Sequence, residues 1–310
     1  MRRLQPIDIA TLAYVAVATV ALGRAVAIEP PTGWGWLVVA HGLLVLLPLI
    51  APLARAAGPV GRFLGDWYPM LLVGGLYGEL GVLTLANGIS HDAAIQRLEV
   101  LVFGSQVSFR WIRETPNAAL SWVLHLSYLS YYAVLYLSPL AMWLAGRRDE
   151  TRRTILALMM VFYACYVVSL FFPVAGPRYA FALPDNAATA VWPARAAQWL
   201  LDHGDSWGVA FPSSHVAASV VATAMALRHA RRVGLVMLPL TTGLVLAVVY
   251  GQFHYAVDAL AGLVFAAGAL AVMWSGARAT ARDGTPAGSV VAVVVPGSRL
   301  GGGSGGGIAT

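Results

Sequence analysis

Polar and apolar positions in this chain fall in long blocks and do not alternate within segments. Apolar runs recur near residues 8–29, 35–54, 67–88, 118–144, 154–172, 212–229, 233–250 and 255–276. A helix needs roughly 20 apolar residues to cross about 30 Å of hydrocarbon, and most of these runs supply them without the polar stripe of a soluble surface helix. The pattern predicts an all-α polytopic membrane protein of about eight transmembrane helices. Arg2 and Arg3 precede the first run as in a signal peptide, but that run is long for one and shows no small-residue cleavage site before Pro30, so it reads as a helix.

The polar segments between the runs set topology. Arginines cluster at Arg2 and Arg3, at Arg55 and Arg62, at Arg147, Arg148, Arg152 and Arg153, at Arg228, Arg231 and Arg232, and at Arg278 and Arg282. With an even number of spans all of these share one side, so the positive-inside rule places both termini in the cytoplasm. Two long connections, 89–117 and 173–211, then face outward. Within the first, Ala93 to Phe103 has apolar positions recurring at three and four, which predicts a short helix lying in the interface. The expected organisation is two N-terminal helices over 1–66, six further helices over 67–276 and a flexible cytoplasmic tail over 277–310, ending in a glycine-rich stretch.

Composition removes several function classes. With 59% hydrophobic and 11% charged residues, no separate soluble domain fits. The net charge of +6 sits in short loop clusters and forms no basic face for nucleic acid. All basic side chains are arginine, which excludes lysine Schiff-base and P-loop lysine chemistry. Cys165 is the sole cysteine, so there is no intrachain disulfide or cysteine-rich metal site, and it reads as packing.

Three polar groups sit at span ends on the outward side: Gly176-Pro177-Arg178-Tyr179, Phe211-Pro212-Ser213-Ser214-His215, and His254-Tyr255-Ala256-Val257-Asp258. Pro212 suits a first helical turn, and Ser213 and Ser214 set hydroxyls and free N–H groups at the positive end of a helix, where phosphate is attracted. His215 follows in the same turn. His254 and Asp258, four apart, share a helix face, and an aspartate beside a histidine suits a nucleophilic or basic imidazole. Arg178 offers a planar fork for phosphate oxygens. Each group alone has a structural reading as cap, interhelical bond or snorkelling arginine; their convergence points to a site.

These groups resemble the three motifs of the type 2 phosphatidic acid phosphatase superfamily, over roughly residues 67–276, which implies that the six helices there form its catalytic core. Within it, Phe172-Pro173 through Gly176-Pro177-Arg178-Tyr179, Phe211-Pro212-Ser213-Ser214-His215, and Tyr250-Gly251-Gln252-Phe253-His254 through Asp258 are most similar to the inositol phosphorylceramide synthase branch. Two departures stand out. The superfamily's lysine seven residues before the arginine is Phe171 here, and its arginine six before the second histidine is Val248. Gln252, or Arg195 folding back from the outer loop, is the candidate replacement for the missing phosphate clamp. The resemblance implies that His254 attacks phosphorus, Asp258 orients it, His215 protonates the leaving oxygen, and Arg178, Ser213, Ser214 and Gln252 hold phosphate. It implies no metal and no other cofactor, and it leaves hydrolysis and head-group transfer, of the inositol phosphate type, both open. The expected partners are a lipid phosphate, an alcohol acceptor for a transferase, and membrane lipids.

His125, Tyr128 and Tyr132 form a polar stripe on the fourth span that reads either as interhelical bonding or as an acceptor pocket. Asp202-His203-Gly204-Asp205 has residue types for a metal but reads as a solvated loop, and Glu79, His41, His91, His203 and His229 take no assigned role. A transporter or lipid scramblase is the alternative from another class; it predicts inverted repeats and mid-membrane polar breaks, and neither is visible. The expected location is a bacterial cytoplasmic membrane with the site on its outer face.

Overall fold

The fold is that of a computed structural model, which describes residues 3–86 and 88–282. Its helices are α1 (Pro6–Ile28), α2 (Trp34–Ala54), α3 (Gly58–Ala86), α4 (Asp92–Phe103), α5 (Val107–Glu114), α6 (Ala118–Leu129), α7 (Tyr131–Leu144), α8 (Arg148–Phe171), α9 (Pro177–Ala180), α10 (Trp192–Gly204), α11 (Ser214–His229), α12 (Arg231–Tyr250) and α13 (Ala256–Arg282). The chain is an all-α polytopic membrane protein. One compact unit runs to Met273; from Trp274 onward only the end of α13 is described, and the glycine-rich tail lies outside the described residues.

Each apolar run corresponds to a helix or a bent pair. Six helices, α1, α2, α3, α8, α12 and α13, are long and apolar enough to cross a membrane, and α6 with α7 makes one further span bent by 44°. The bend sits at Ser130, whose hydroxyl donates to the Ser127 carbonyl at 2.7 Å, so it breaks the helical ladder. The remaining run, 212–229, is α11, with 16 residues, short for a span. Its small residues, among them Ala217, Ala218, Ser219 and Ala222, are buried, and it packs against α7, α8 and α12. It is walled by protein, so its length need not match the hydrocarbon.

The connection 89–117 holds the predicted surface helix as α4, followed by α5. The α4 helix has its polar side inward: Glu99 is buried beside Ile95, whereas Leu98, Val102 and Phe103 are exposed and Leu101 is 82% exposed. The connection 173–211 also contains helices, α9 and α10, which the apolar pattern did not predict. The inner face of α10 consists of Pro193, Ala194 and Ala197, too small to register as a hydrophobic stripe, while Trp192 and Trp199 point outward.

One ionic network ties helix ends together. Arg55, after α2, donates to Asp8 of α1 at 2.7 and 2.8 Å and to Asp66 of α3 at 3.0 Å, and Arg152 of α8 reaches Asp66 at 3.0 Å. Both carboxylates are buried. Arg55→Ala leaves them short of a partner, which costs about 3–5 kcal/mol. We expect a clear fall in unfolding temperature in detergent for Arg55→Ala and little change for the exposed Arg62→Ala. A second pair, His41 with Glu79, joins α2 to α3, and Cys165 is buried in α8.

Candidate active site

The three polar groups meet where α8 ends and where α11 and α13 begin. Gly176, at φ +99°, turns the chain into α9 and presents Arg178. Ser213 caps α11, its hydroxyl accepting from the Val216 amide at 3.3 Å, and its own amide donates to the Asp258 carbonyl at 3.0 Å. The second and third groups are thus tied backbone to backbone. Gly262 permits this approach, since a Cβ there would lie 2.6 Å from the Ser213 carbonyl oxygen. After α12 the chain turns through Gln252, at φ +58°, and the Val248 carbonyl accepts the Phe253 and His254 amides at 2.9 and 2.8 Å.

His254 is held by one decisive bond. Its Nδ1 donates to the Ala210 carbonyl at 2.8 Å, which fixes the proton on Nδ1 and leaves the Nε2 lone pair free. Asp258 is nearby, its Oδ2 3.6 Å from Nδ1, but that oxygen accepts directly from the Tyr255 amide at 2.8 Å, reaching back to cap α13. The ring of His215 lies 5.6 Å from that of His254, and its other ring neighbours are Tyr131 at 4.5 Å, Tyr128 at 6.0 Å and Tyr77 at 6.4 Å.

Both histidines line a small cavity of about 20 Å³, together with Arg178, Asp205 and the Tyr77 and Tyr128 rings. Two larger cavities adjoin it. One, of about 280 Å³, shares Arg178 and is bounded by Tyr179, Phe181, Leu183, Gln198 and Gln252. The other, of about 130 Å³, shares His215 and Tyr128 and is bounded by Tyr131, Tyr132, Leu135 and Ser214. The histidine cavity thus shares Arg178 with the first, a polar chamber, and Tyr77, Tyr128, Leu201 and His215 with the second, an aromatic one.

Arg178 is already engaged: Nη1 donates to Gln198 Oε1 at 2.6 Å, Nη2 donates to Asp202, and Nε lies 3.7 Å from Asp205 Oδ2. Asp205 accepts from the Tyr77 hydroxyl at 3.0 Å and from the Tyr179 hydroxyl at 3.1 Å. Burial first, and the Asp205 carboxylate second, push Tyr179 up to about 12, so it stays a donor. Gln252 faces the polar chamber. Its Oε1 accepts from Arg113 of α5 at 2.8 Å, and its buried Nε2 has no partner among the described residues.

The remaining predicted residues separate by environment. Ser213 is a fully buried cap, and Ser214 lines the aromatic chamber. Tyr128 lines both the histidine cavity and that chamber, and Tyr132, 56% exposed, sits on its rim. His125 lines none of the three cavities; its Nδ1 donates to the Ser121 carbonyl at 2.9 Å and its ring packs edge-on to Phe253 at 5.8 Å. Arg195 is exposed on α10, away from the cavity linings. No group of His, Cys, Asp and Glu suited to a metal occurs among the described residues.

Sequence reasoning missed five contributors: the Ala210 carbonyl, Tyr131, Asp205, Arg113 and Asp92. Asp92, at the start of α4, accepts from the Ala175 and Gly176 amides, both at 2.8 Å, and from the Tyr255 hydroxyl at 2.9 Å. Glu99 adds a second tie, accepting from the Ser108 amide at 3.0 Å and the Ala256 amide at 3.3 Å.

The PAP2 superfamily matches residues 93–272, more than half of the chain. The chain belongs to the PAP2 superfamily. No curated protein and no solved structure matches. Members of the PAP2 superfamily are phosphoesterases, so this is a membrane enzyme of the lipid phosphatase type. The matched segment holds every residue singled out from the sequence as a site candidate and includes α5 and all of α4 but its first residue, Asp92, whereas α1, α2 and α3 precede it.

Proposed function

We propose that this PAP2 protein transfers the phosphoryl group of a lipid phosphate ester through a covalent intermediate on His254. The observation that carries the reading is the Nδ1 bond of His254 to the Ala210 carbonyl, which frees Nε2 beside Arg178 and His215. In the first step Nε2 bonds to phosphorus with its lone pair, the bond from phosphorus to the leaving oxygen breaks with its electron pair, and that oxygen takes a proton from His215. In the second step a water or alcohol oxygen attacks phosphorus, loses its proton to His215, and the P–N bond returns its electrons to Nε2. Asp258, 3.6 Å from Nδ1, favours the cationic ring that exists between the steps. Arg178 supplies the fixed charge that phosphoryl transfer needs. No divalent metal takes part in this scheme.

Two ends are open to this intermediate: water yields a phosphatase, and an alcohol seated in a chamber yields a head-group transferase of the inositol phosphorylceramide synthase kind. The aromatic chamber rimmed by Tyr132 supports the transferase, because water alone needs no such room. The arginine clusters support an active site on the outer face of a bacterial cytoplasmic membrane, with both termini inside. The test is product analysis by phosphorus NMR with purified protein, a lipid phosphate and a panel of polyols and lipid alcohols, with chelator present throughout. We expect turnover that chelator does not reduce and a measurable share of phosphoryl groups on an added alcohol. Release to water alone across the panel makes the enzyme a phosphatase; no turnover of any lipid phosphate removes the reading.

A further inference from the structure

We infer that α3, although it precedes the matched segment, is part of the catalytic unit, with Thr84 as a positioning residue that sets where the ring proton of His254 sits; this rests on the reading of His254 as the nucleophile. Residues 205–210 form a strap that leads from α10 toward α11 and has no helix of its own. Its last residue, Ala210, supplies the carbonyl that accepts from His254 Nδ1. The direction of that carbonyl depends on what holds the strap, and two neighbours do so. On one side lies Val174, just past α8. The Gly208 carbonyl accepts from the Val174 amide at 3.1 Å, and the Val174 carbonyl accepts from the Ala210 amide at 2.9 Å.

On the other side lies the outer part of α3, where Tyr77, Gly81 and Thr84 recur at four and three and so share one face. The Tyr77 hydroxyl donates to Asp205 Oδ1 at 3.0 Å, and its carbonyl accepts from the Ser206 hydroxyl at 2.9 Å. Gly81 lets Ser206 lie directly against the helix, since a Cβ there would be 3.1 Å from the Ser206 Cβ. Thr84 is fully buried and donates to the Trp207 carbonyl at 2.6 Å. It also packs on Gly208, where a Cβ would lie 2.6 Å from the Thr84 hydroxyl oxygen. Gly208 stands at φ +84°, so the strap turns beneath Thr84 into the Val174 bridge and on to Ala210. The helix that does this is braced from behind. Glu79 pairs with His41 of α2, and the Tyr136 hydroxyl of α7 donates to the Met70 carbonyl at 3.0 Å.

The chemical consequence is the tautomer. A neutral imidazole carries its proton on either nitrogen, and the bond made by the ring decides which. With the proton on Nδ1, Nε2 has a lone pair for phosphorus; with the proton on Nε2 it has none. Asp258 does not stand in for Ala210, because its Oδ2 is 3.6 Å from Nδ1 and accepts from the Tyr255 amide. Without the Thr84 hydroxyl the turn at Gly208 is held from the Val174 side alone, and the Ala210 carbonyl drifts from the ring.

The experiment uses the full chain in detergent with ¹⁵N-labelled histidine rings. It reads kcat and KM for p-nitrophenyl phosphate and, by NMR, which ring nitrogen of His254 is protonated, that signal being identified by its loss in His254→Ala. We expect the wild-type proton on Nδ1. Thr84→Val keeps the shape and removes the donor; it lowers kcat about tenfold with KM near wild type and moves a measurable share of the proton to Nε2. Thr84→Ser keeps the donor and restores both. Should Thr84→Val fail to fold, Gly81→Ala presses on Ser206 from the same face while favouring the helix, and gives the same two changes. Wild-type kcat and ring signals in Thr84→Val, or a loss of kcat with the proton still on Nδ1, overturn the inference, and Thr84 then only packs α3. A proton moved to Nε2 with kcat unchanged supports the positioning and removes His254 as the nucleophile. If nothing turns over, the ring signals alone decide the role of Thr84.

Discussion

His254→Ala is expected to leave no measurable turnover of any ester, whereas His215→Ala retains a burst of phosphoenzyme from an aryl phosphate whose leaving group needs no proton. The two rings lie 5.6 Å apart in one cavity, yet their surroundings differ. His254 has its Nδ1 proton anchored on a carbonyl, which fixes the ring and aims a lone pair. His215 is packed among aromatic rings, 4.5 Å from Tyr131 and 6.4 Å from Tyr77, with space on the cavity side for a leaving oxygen. Removing a nucleophile deletes the covalent route altogether; removing a general acid costs about 10² to 10⁴ in rate, and less as the leaving group improves. Rapid-quench measurement of acid-labile, base-stable phosphoprotein separates the two. Equal losses on natural and aryl substrates would mean that the roles have been wrongly divided.

What the sequence made legible is what is local along the chain. The His254–Asp258 pair and the Arg178 turn are contained within a few residues and are close as the spacing predicts, but α11 begins at Ser214 with Ser213 as its cap, so Pro212 lies outside the first turn, and His254 precedes α13 and does not share its face. The inward polar face of α4 was also readable as a periodicity, though not the direction it faces. The rest depended on partners distant in sequence. The acceptor for His254 is the backbone carbonyl of Ala210, and a carbonyl has no sequence signature. Tyr131 escaped because an unbroken helix through Tyr128 and Tyr132 turns position 131 away; the break at Ser130 brings it against His215. Asp205 looked like part of a solvated loop until α3 and α9 supplied Tyr77 and Tyr179. The position that is Val248 in place of an arginine did signal a lost clamp; the contact of Arg113 with Gln252 beside it was not legible, because Arg113 lies on a helix whose eight residues show no apolar run.

Asp92→Ala is expected to lower kcat about 100-fold with a small change in KM, although Asp92 touches neither histidine. Its carboxylate joins two segments that act together. The Ala175 and Gly176 amides it accepts lie just before Arg178, and the Tyr255 hydroxyl it accepts belongs to the residue after His254. One side chain thus sets the distance between the Arg178 guanidinium and the His254 ring, the proposed phosphate holder and nucleophile. Gln96, one turn along α4, donates to the same Tyr255 hydroxyl at 2.8 Å and is not enough alone, because it has no hold on the Arg178 turn. Misplacement of reacting groups by about 1 Å costs on the order of 10² in rate. Tyr255→Phe removes only one of the three bonds and should cost less, on the order of tenfold. Asp92→Asn keeps one accepting oxygen and should fall between the two. A positioning residue predicts that kcat drops while thermal stability and KM stay near wild type. If Asp92→Ala instead lowers the unfolding temperature and raises KM in proportion, or if Asp92→Asn is as impaired as Asp92→Ala in stability, then Asp92 only holds α4 to the bundle and the alignment of Arg178 with His254 is set elsewhere.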